Sequence, residues 1–238
     1  MANSSDAIYK LLSEKATLKQ KVFDNTFQAF KYLKKVGKQF ENDFNTKLRE
    51  QDQRILLKYK SVSVFQSELK VAGDMLIFYM HSNVFQFNRE HRIWKLNYLK
   101  KDYYASYVGI ISIYDFLADS FRYNRTEDMG YLIARIFINK DNSYFVEGKR
   151  QRAYLDDKFQ ERKMSLEAMR DILESAVLYS LQFDLLVPPY EKVKITTVEQ
   201  ILDARRIGVP TGKRMGFSFR TDDIDLTDKE DKLYYTGG

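Results

Sequence analysis

The residue pattern closest to a catalytic site is Glu147-Gly148-Lys149, which follows an apolar run rich in β-forming residues. A carboxylate at the end of such a run can hold Mg²⁺, and a lysine two residues later can activate a water molecule. Because side chains alternate along a strand, Glu147 and Lys149 are expected on one face. Magnesium also needs a second acidic ligand, which would have to come from the neighbouring strand.

The neighbouring strand does not supply that ligand in the register that we expect. Two β-rich runs on either side of Asn139-Lys140-Asp141-Asn142 predict a hairpin with a two-residue turn. Counting outward from this turn sets Ala134 opposite Glu147. The triplet resembles the metal-binding Glu-x-Lys of restriction-endonuclease-like enzymes, but the resemblance covers three residues. We therefore predict surface ion pairs for Glu147 and Lys149, with a Mg²⁺-dependent nuclease as an alternative.

Other catalytic patterns lack essential residues. The chain has no Cys, which excludes disulfides, thiolate metal sites and cysteine nucleophiles. Its two histidines, His81 and His91, are too few for a three-histidine metal site and are predicted to be turn or surface residues. Residues 208–214 are one residue short of a phosphate-binding loop, and Arg214 replaces its Ser or Thr. We therefore predict no metal site and no cofactor, and we disfavour an enzyme.

The first 54 residues are predicted to form a basic helical arm. Only one Gly and no Pro occur between Ser4 and Arg54, so we expect one long helix or a helical hairpin. Apolar residues recur at intervals of three and four, which places them on one face. A helix of about fifty residues would span about 75 Å, so a folded-back helix or a second subunit must cover part of this stripe. The predicted oligomer interface consists of Leu18, Val22, Phe23, Phe27, Phe30, Phe40 and Phe44.

Charge is distributed unevenly along the chain. Between Met1 and Lys60, thirteen Lys and Arg face seven Asp and Glu, which accounts for the whole net charge of +6. Lysines on a helix can neutralise nucleic-acid phosphates, although lysines mixed with acids are also typical of a solvated helix. The candidate nucleic-acid-binding residues are Lys31, Lys34, Lys35, Lys38, Lys149, Arg150 and Arg152.

The rest of the chain is predicted to form an α+β core domain over residues 55–220 and an acidic tail over residues 221–238. Period-two runs predict a mostly antiparallel sheet, while the run at 108–113 fits a strand or a helix, and we favour a helix. Another helix is expected to begin at Ser165 and to end before Pro188. The predicted fold is α+β: a long N-terminal helix or helical hairpin, then a mostly antiparallel sheet with two or three packing helices.

The leading functional hypothesis is a non-enzymatic structural or interaction protein that acts as a homo-oligomer, for example a ring or connector of a phage or bacterial machine. It follows from the lack of a catalytic pattern and from the apolar stripe on an extended helix. The expected partners are further copies and other protein subunits, and not a membrane, because no run of about eighteen apolar residues occurs. The alternatives are a nucleic-acid-binding protein or nuclease, and a small-ligand sensor domain. The expected location is the cytoplasm, or the virion of a phage.

Overall fold

The fold is α+β, as predicted: a long N-terminal helix precedes a mostly antiparallel sheet of seven strands and a few further helices. The computed structural model describes residues 3–149, 153–187, 189–199 and 201–202. Arg150, Arg152, the segment 208–214 and the predicted acidic tail therefore lie outside the described residues.

The chain divides into two compact units. The first consists of Met1–Ala118 and Gly130–Phe183, and it contains the long helix and the whole sheet. The second consists of Asp119–Met129 and Asp184–Gly238. Within the second unit, Arg125 Nε lies 2.8 Å from Asp128 Oδ2, and the Ser120 hydroxyl donates to the same carboxylate at 2.6 Å.

The N-terminal region is one helix and not a hairpin. It consists of α1 (Ser4–Lys10), a π-helical segment (Leu11–Ala16) and α2 (Thr17–Lys47). Gly37 lies inside α2 without breaking it. Its missing side chain leaves space for Tyr59, because a Cβ here would lie 2.5 Å from Tyr59 Cε2. Among the described residues, no helix has both the length and the apolar character needed to cross a bilayer.

The strands of the sheet are β1 (Lys58–Ser61), β2 (Gln66–Val71), β3 (Asp74–Met80), β4 (Phe85–Gln86), β5 (Tyr107–Leu117), β6 (Tyr131–Asn139) and β7 (Tyr144–Gly148). All pairings are antiparallel, with strand order β1-β2-β3-β5-β6-β7, and β4 pairs with the start of β5. Among the described residues, the further α-helices are α3 (Asn97–Lys101), α4 (Ala118–Arg122), α5 (Leu166–Leu181) and α6 (Tyr190–Val193).

Residues 108–113 lie in the central strand β5, so the helix predicted there was wrong. The side chains of this strand pack on both faces of the sheet, with Ile111 in the core under α2 and Val108 in a second cluster on the other face. A strand buried on both faces appears in the sequence as a continuous apolar run, so its period does not distinguish it from a buried helix. Gly109 lies where α2 crosses β5, directly against Thr26.

Two hydrophobic clusters cover the two faces of the sheet. On one face, α2 and α5 pack on the sheet and on each other. As predicted, α5 begins after Ser165, whose hydroxyl accepts a hydrogen bond from Ala168 N, but it ends at Leu181, well before Pro188. On the other face lies a smaller cluster of Ile93, Leu99, Ala105, Val108, Phe137, Phe145, Leu155 and Phe159.

The β6–β7 hairpin forms where it was predicted, but its turn is one residue longer. Asn139 N donates to Ser143 O at 3.0 Å, and Asn142 has a φ of 58°. The turn therefore contains three residues, and the last adopts the left-handed conformation that asparagine tolerates. The register of the two strands is shifted by one residue from the predicted register.

Candidate functional site

The Glu147 carboxylate is paired with a cation. Because the hairpin register is shifted, Arg135 lies opposite Glu147, and Ala134 does not. The guanidinium of Arg135 donates to Glu147 Oε2 through Nη2 at 2.6 Å and through Nε at 3.2 Å, and His91 Nε2 lies 3.7 Å from Oε1. These contacts use the carboxylate oxygens that a metal ion would need. Lys149 is exposed at the end of the same strand region.

Metal-binding geometry is absent from the part of the chain that the structure describes. No group of three or more His, Asp or Glu side chains converges there. His91 Nδ1 accepts a hydrogen bond from Ile93 N at 3.2 Å, and its ring stacks on Phe87 at 4.3 Å between centroids. The proton of a neutral His91 must therefore be on Nε2, the atom that faces Glu147. His81 Nδ1 likewise accepts from a backbone N–H two residues later, so both histidines stabilise turns.

The residues predicted to form the oligomer interface are partly covered by their own chain. The residues assigned to it lie at the start of α2 and along it, and α2 packs on the sheet of its own chain. Val22, Phe30 and Phe40 are buried. Phe23, Phe27 and Phe44 are half-buried and pack against the core. Leu18 is half-buried one turn before Val22. The buried residues Val22, Phe30 and Phe40 therefore stabilise the fold, and only the half-buried members of the set keep surface that a second subunit could contact.

Apolar surface without cover lies nearer the N-terminus, in the segment Ser4–Ala16. None of its residues is buried. The exposed fractions of Ile8, Tyr9, Leu11 and Leu12 are 58%, 74%, 59% and 61%. Contact with another surface would bury these apolar side chains and stabilise the segment. The predicted interface begins after this segment, at Leu18, although the apolar spacing runs without a break from Ile8 into α2.

The lysines predicted to bind nucleic acid have local roles on α2. Lys31 Nζ lies 4.6 Å from the centroid of the Phe27 ring, and Lys38 Nζ lies 2.5 Å from Glu41 Oε2. Lys34 donates to a backbone carbonyl between β1 and β2 at 2.6 Å, and burial lowers the pKa of this lysine. Lys35 is exposed. Such contacts are typical of a solvated helix surface, and nucleic-acid binding by these lysines stays a prediction.

A basic and aromatic surface, which no sequence pattern indicated, precedes β5. The guanidinium of Arg89 lies 4.5 Å from the Trp94 ring and 4.9 Å from the Tyr103 ring, and these two rings stack at 5.4 Å. Tyr103 and its neighbour Tyr104 are each 40% exposed. We name these four residues the Arg89 cluster. Four further exposed cations lie in the same stretch of chain: Arg92, Lys95, Lys100 and Lys101.

Comparisons with known proteins identify no relative of this chain. No protein-family model, no curated protein and no solved structure matches it. Its function is therefore inferred from the physical properties of its own surfaces. The most informative of these are the uncovered helical segment Ser4–Ala16 and the Arg89 cluster.

Proposed function

We propose that this protein is a non-enzymatic interaction protein that forms homo-oligomers through the N-terminal end of its long helix. The observation that supports this function is the exposure of Ile8, Leu11 and Leu12 on a segment, Ser4–Ala16, without a single buried residue. Ile8 and Leu12 are four residues apart, which is the spacing of neighbours on one helix face. Because these side chains are about 60% exposed, complete burial of each by a partner contributes roughly 1–2 kcal/mol.

The charge of this segment favours a second copy of the chain as the partner. Ser4–Ala16 contains two acids, Asp6 and Glu14, and two bases, Lys10 and Lys15, so it has no net charge. Two copies of the segment therefore meet without electrostatic repulsion, and an apolar patch is complementary to itself across a two-fold axis. A polyanionic partner gains little from a neutral segment.

The experiment measures the oligomeric state of the full chain. Sedimentation velocity over a concentration series should show association for the wild type and a monomer for Leu12→Ser. Leu178→Ser is the matched control, because Leu178 is also an exposed helical leucine, with 57% of its surface accessible. It should associate like the wild type. A wild-type chain that stays monomeric at every concentration contradicts the proposal, and so does equal association of wild type and Leu12→Ser.

The Arg89 cluster favours a second candidate function, the binding of single-stranded nucleic acid. Exposed aromatic rings beside cations are the elements that such proteins use, since each base stacks on a ring and the phosphates contact the cations. Fluorescence anisotropy with labelled oligonucleotides at low salt tests this function. Tyr104→Ala should weaken binding roughly five-fold or more, while Tyr79→Ala, which removes a 43% exposed tyrosine from the sheet, should not. Absence of binding at low salt excludes this candidate.

A further inference from the structure

A polar cavity of about 490 Å³ lies between α2, α3 and the β6–β7 turn. Its lining consists of three lysines, two asparagines, a glutamine, a tyrosine and an aspartate. Small-molecule sites commonly occupy roughly 300–1,000 Å³, so the volume suits a small ligand. Because none of the described residues lines this cavity with an aliphatic side chain, a lipophilic ligand would gain little there, and a ligand with many polar groups fits best.

One wall of the cavity is fixed by hydrogen bonds. The Tyr98 hydroxyl donates to Asp141 Oδ2 through a short hydrogen bond and accepts one from Asn139 Nδ2 at 3.0 Å. Lys140 Nζ lies 2.9 Å from Asp141 Oδ2 and 2.6 Å from Asp102 Oδ2. Burial, together with the Asp141 carboxylate, raises the pKa of Tyr98, so its hydroxyl stays protonated and keeps donating. The polar groups of this wall are therefore satisfied by each other.

Two asparagines leave acceptors available to a ligand. Asn25 Nδ2 donates to the carbonyl oxygens of Asn139 and Lys140, both at 3.0 Å, and Asn142 Nδ2 donates to Met164 O at 3.1 Å. A carbonyl can only accept, so these contacts fix the orientation of both amides. Neither Oδ1 atom accepts a hydrogen bond from the residues that the structure describes. Both oxygens belong to side chains of the cavity lining.

Two ammonium groups supply positive charge that is not paired with a carboxylate. Lys163 Nζ donates to Asp141 O at 3.1 Å and to Ser143 Oγ at 2.8 Å, which holds the ammonium in place and leaves its third N–H. Lys21 extends from α2, and its charge helps to lower the pKa of Asp141. Within the described ranges, neither lysine forms an ion pair.

We propose that this cavity binds a phosphorylated polyol such as a sugar phosphate, with the ammonium groups of Lys21 and Lys163 on the phosphate and the amide oxygens of Asn25 and Asn142 on the hydroxyls. Inorganic phosphate would use only the lysines, and an uncharged sugar would use only the amides. A ligand with both parts matches the whole lining. This binding site is independent of the oligomer proposed above.

Isothermal titration calorimetry of the full chain at constant ionic strength tests the site with ribose 5-phosphate, inorganic phosphate and ribose. Ribose 5-phosphate should bind most tightly and ribose least. Lys21→Gln should weaken ribose 5-phosphate binding by roughly ten-fold or more, because it removes a charge-assisted hydrogen bond. Lys35→Gln is the matched control, since Lys35 is an exposed lysine of the same helix, and it should leave the affinity unchanged.

Three results overturn this assignment. No measurable binding of ribose 5-phosphate at millimolar concentration removes the site. Equal weakening by Lys21→Gln and Lys35→Gln shows general attraction to a basic helix instead of a defined cavity. Equal affinities for inorganic phosphate and ribose 5-phosphate show that the asparagine oxygens do not bind hydroxyls. Because Lys21 is exposed, the melting temperature of Lys21→Gln should match that of the wild type, which confirms that a change in affinity does not arise from unfolding.

Discussion

Replacement of Gly109 by alanine tests how α2 packs on the central strand β5. A Cβ at Gly109 would lie 2.0 Å from Thr26 Oγ1 and 2.7 Å from Thr26 Cβ. Thr26 is fully buried, and its hydroxyl donates to Val22 O at 2.7 Å, so its side chain has little freedom to move away. Non-bonded atoms cannot stay this close in a folded protein, so the helix and the strand must separate locally.

The expected cost is about 1–3 kcal/mol, the usual range for an overpacked core. For a chain of 238 residues, each kcal/mol lowers the melting temperature by roughly 2–4 °C. The helix that the sequence favours at residues 108–113 predicts the opposite sign. Inside a helix, alanine is more stable than glycine by about 1 kcal/mol. The direction of the change therefore distinguishes the two structures.

Thermal and urea unfolding, followed by circular dichroism, measure this change. Thr26→Ala removes the two side-chain atoms beyond Cβ, so Gly109→Ala should cost less in that background, and the difference is the coupling between the two sites. Gly73→Ala is the control, because no atom lies within 4 Å of a Cβ at that glycine. An unchanged or raised melting temperature for Gly109→Ala, or strict additivity with Thr26→Ala, refutes the described packing.

Three further substitutions test the other structural assignments. Burial alone would raise the pKa of Asp141, but hydrogen bonds from Tyr98 and Lys140 outweigh it and hold the pKa below the ordinary 3.8. Such a carboxyl stabilises the fold above its unfolded pKa and loses this contribution as the pH falls through the folded pKa. Asp141→Asn should therefore be less stable than wild type at pH 7, with a difference that shrinks below about pH 4 in urea unfolding. Glu147→Gln should change the free energy of unfolding by less than about 1 kcal/mol, because its ion pair is partly exposed; a Mg²⁺-dependent rise in melting temperature that this variant loses would support the nuclease alternative. Phe40→Ala should destabilise the monomer by about 3–5 kcal/mol, whereas an interface residue would weaken association and leave monomer stability unchanged.

Much of the fold is predictable from local sequence signals. The helix-forming composition before residue 48, the turn residues of the β6–β7 hairpin and the N-cap Ser165 each specify their own structure. The run at 108–113 is different because its neighbours decide its conformation. Its side chains are apolar on both faces of the sheet, and the strands that pair with it are distant in sequence. The hydrophobic period of the segment itself carries no information about those strand pairings.

The candidate sites were less predictable because they depend on register and on contacts between separate segments. The extra turn residue, Asn142, changes the partner of Glu147 from an alanine to Arg135. A shift of one residue moves every side chain to a new cross-strand neighbour. The polar cavity brings together α2, α3 and the β6–β7 turn, and only the folded chain makes these segments adjacent. The lysines and asparagines at the turn were visible in the sequence, but their convergence with Lys21 was not.

The long helix changes its environment near Thr17, and charge marks this change better than hydrophobicity does. Thr17–Lys47 contains seven lysines against three acids, whereas the exposed segment before it is neutral. Two copies paired along the whole helix would bring their basic parts together, so the proposed contact should be confined to Ser4–Ala16. Added salt screens the remaining repulsion and should strengthen self-association, since the contact itself is apolar. Nucleic-acid binding at the Arg89 cluster should instead weaken as salt rises, because it depends on phosphate contacts. A single salt series on the wild type therefore separates the two candidate functions by the sign of the response.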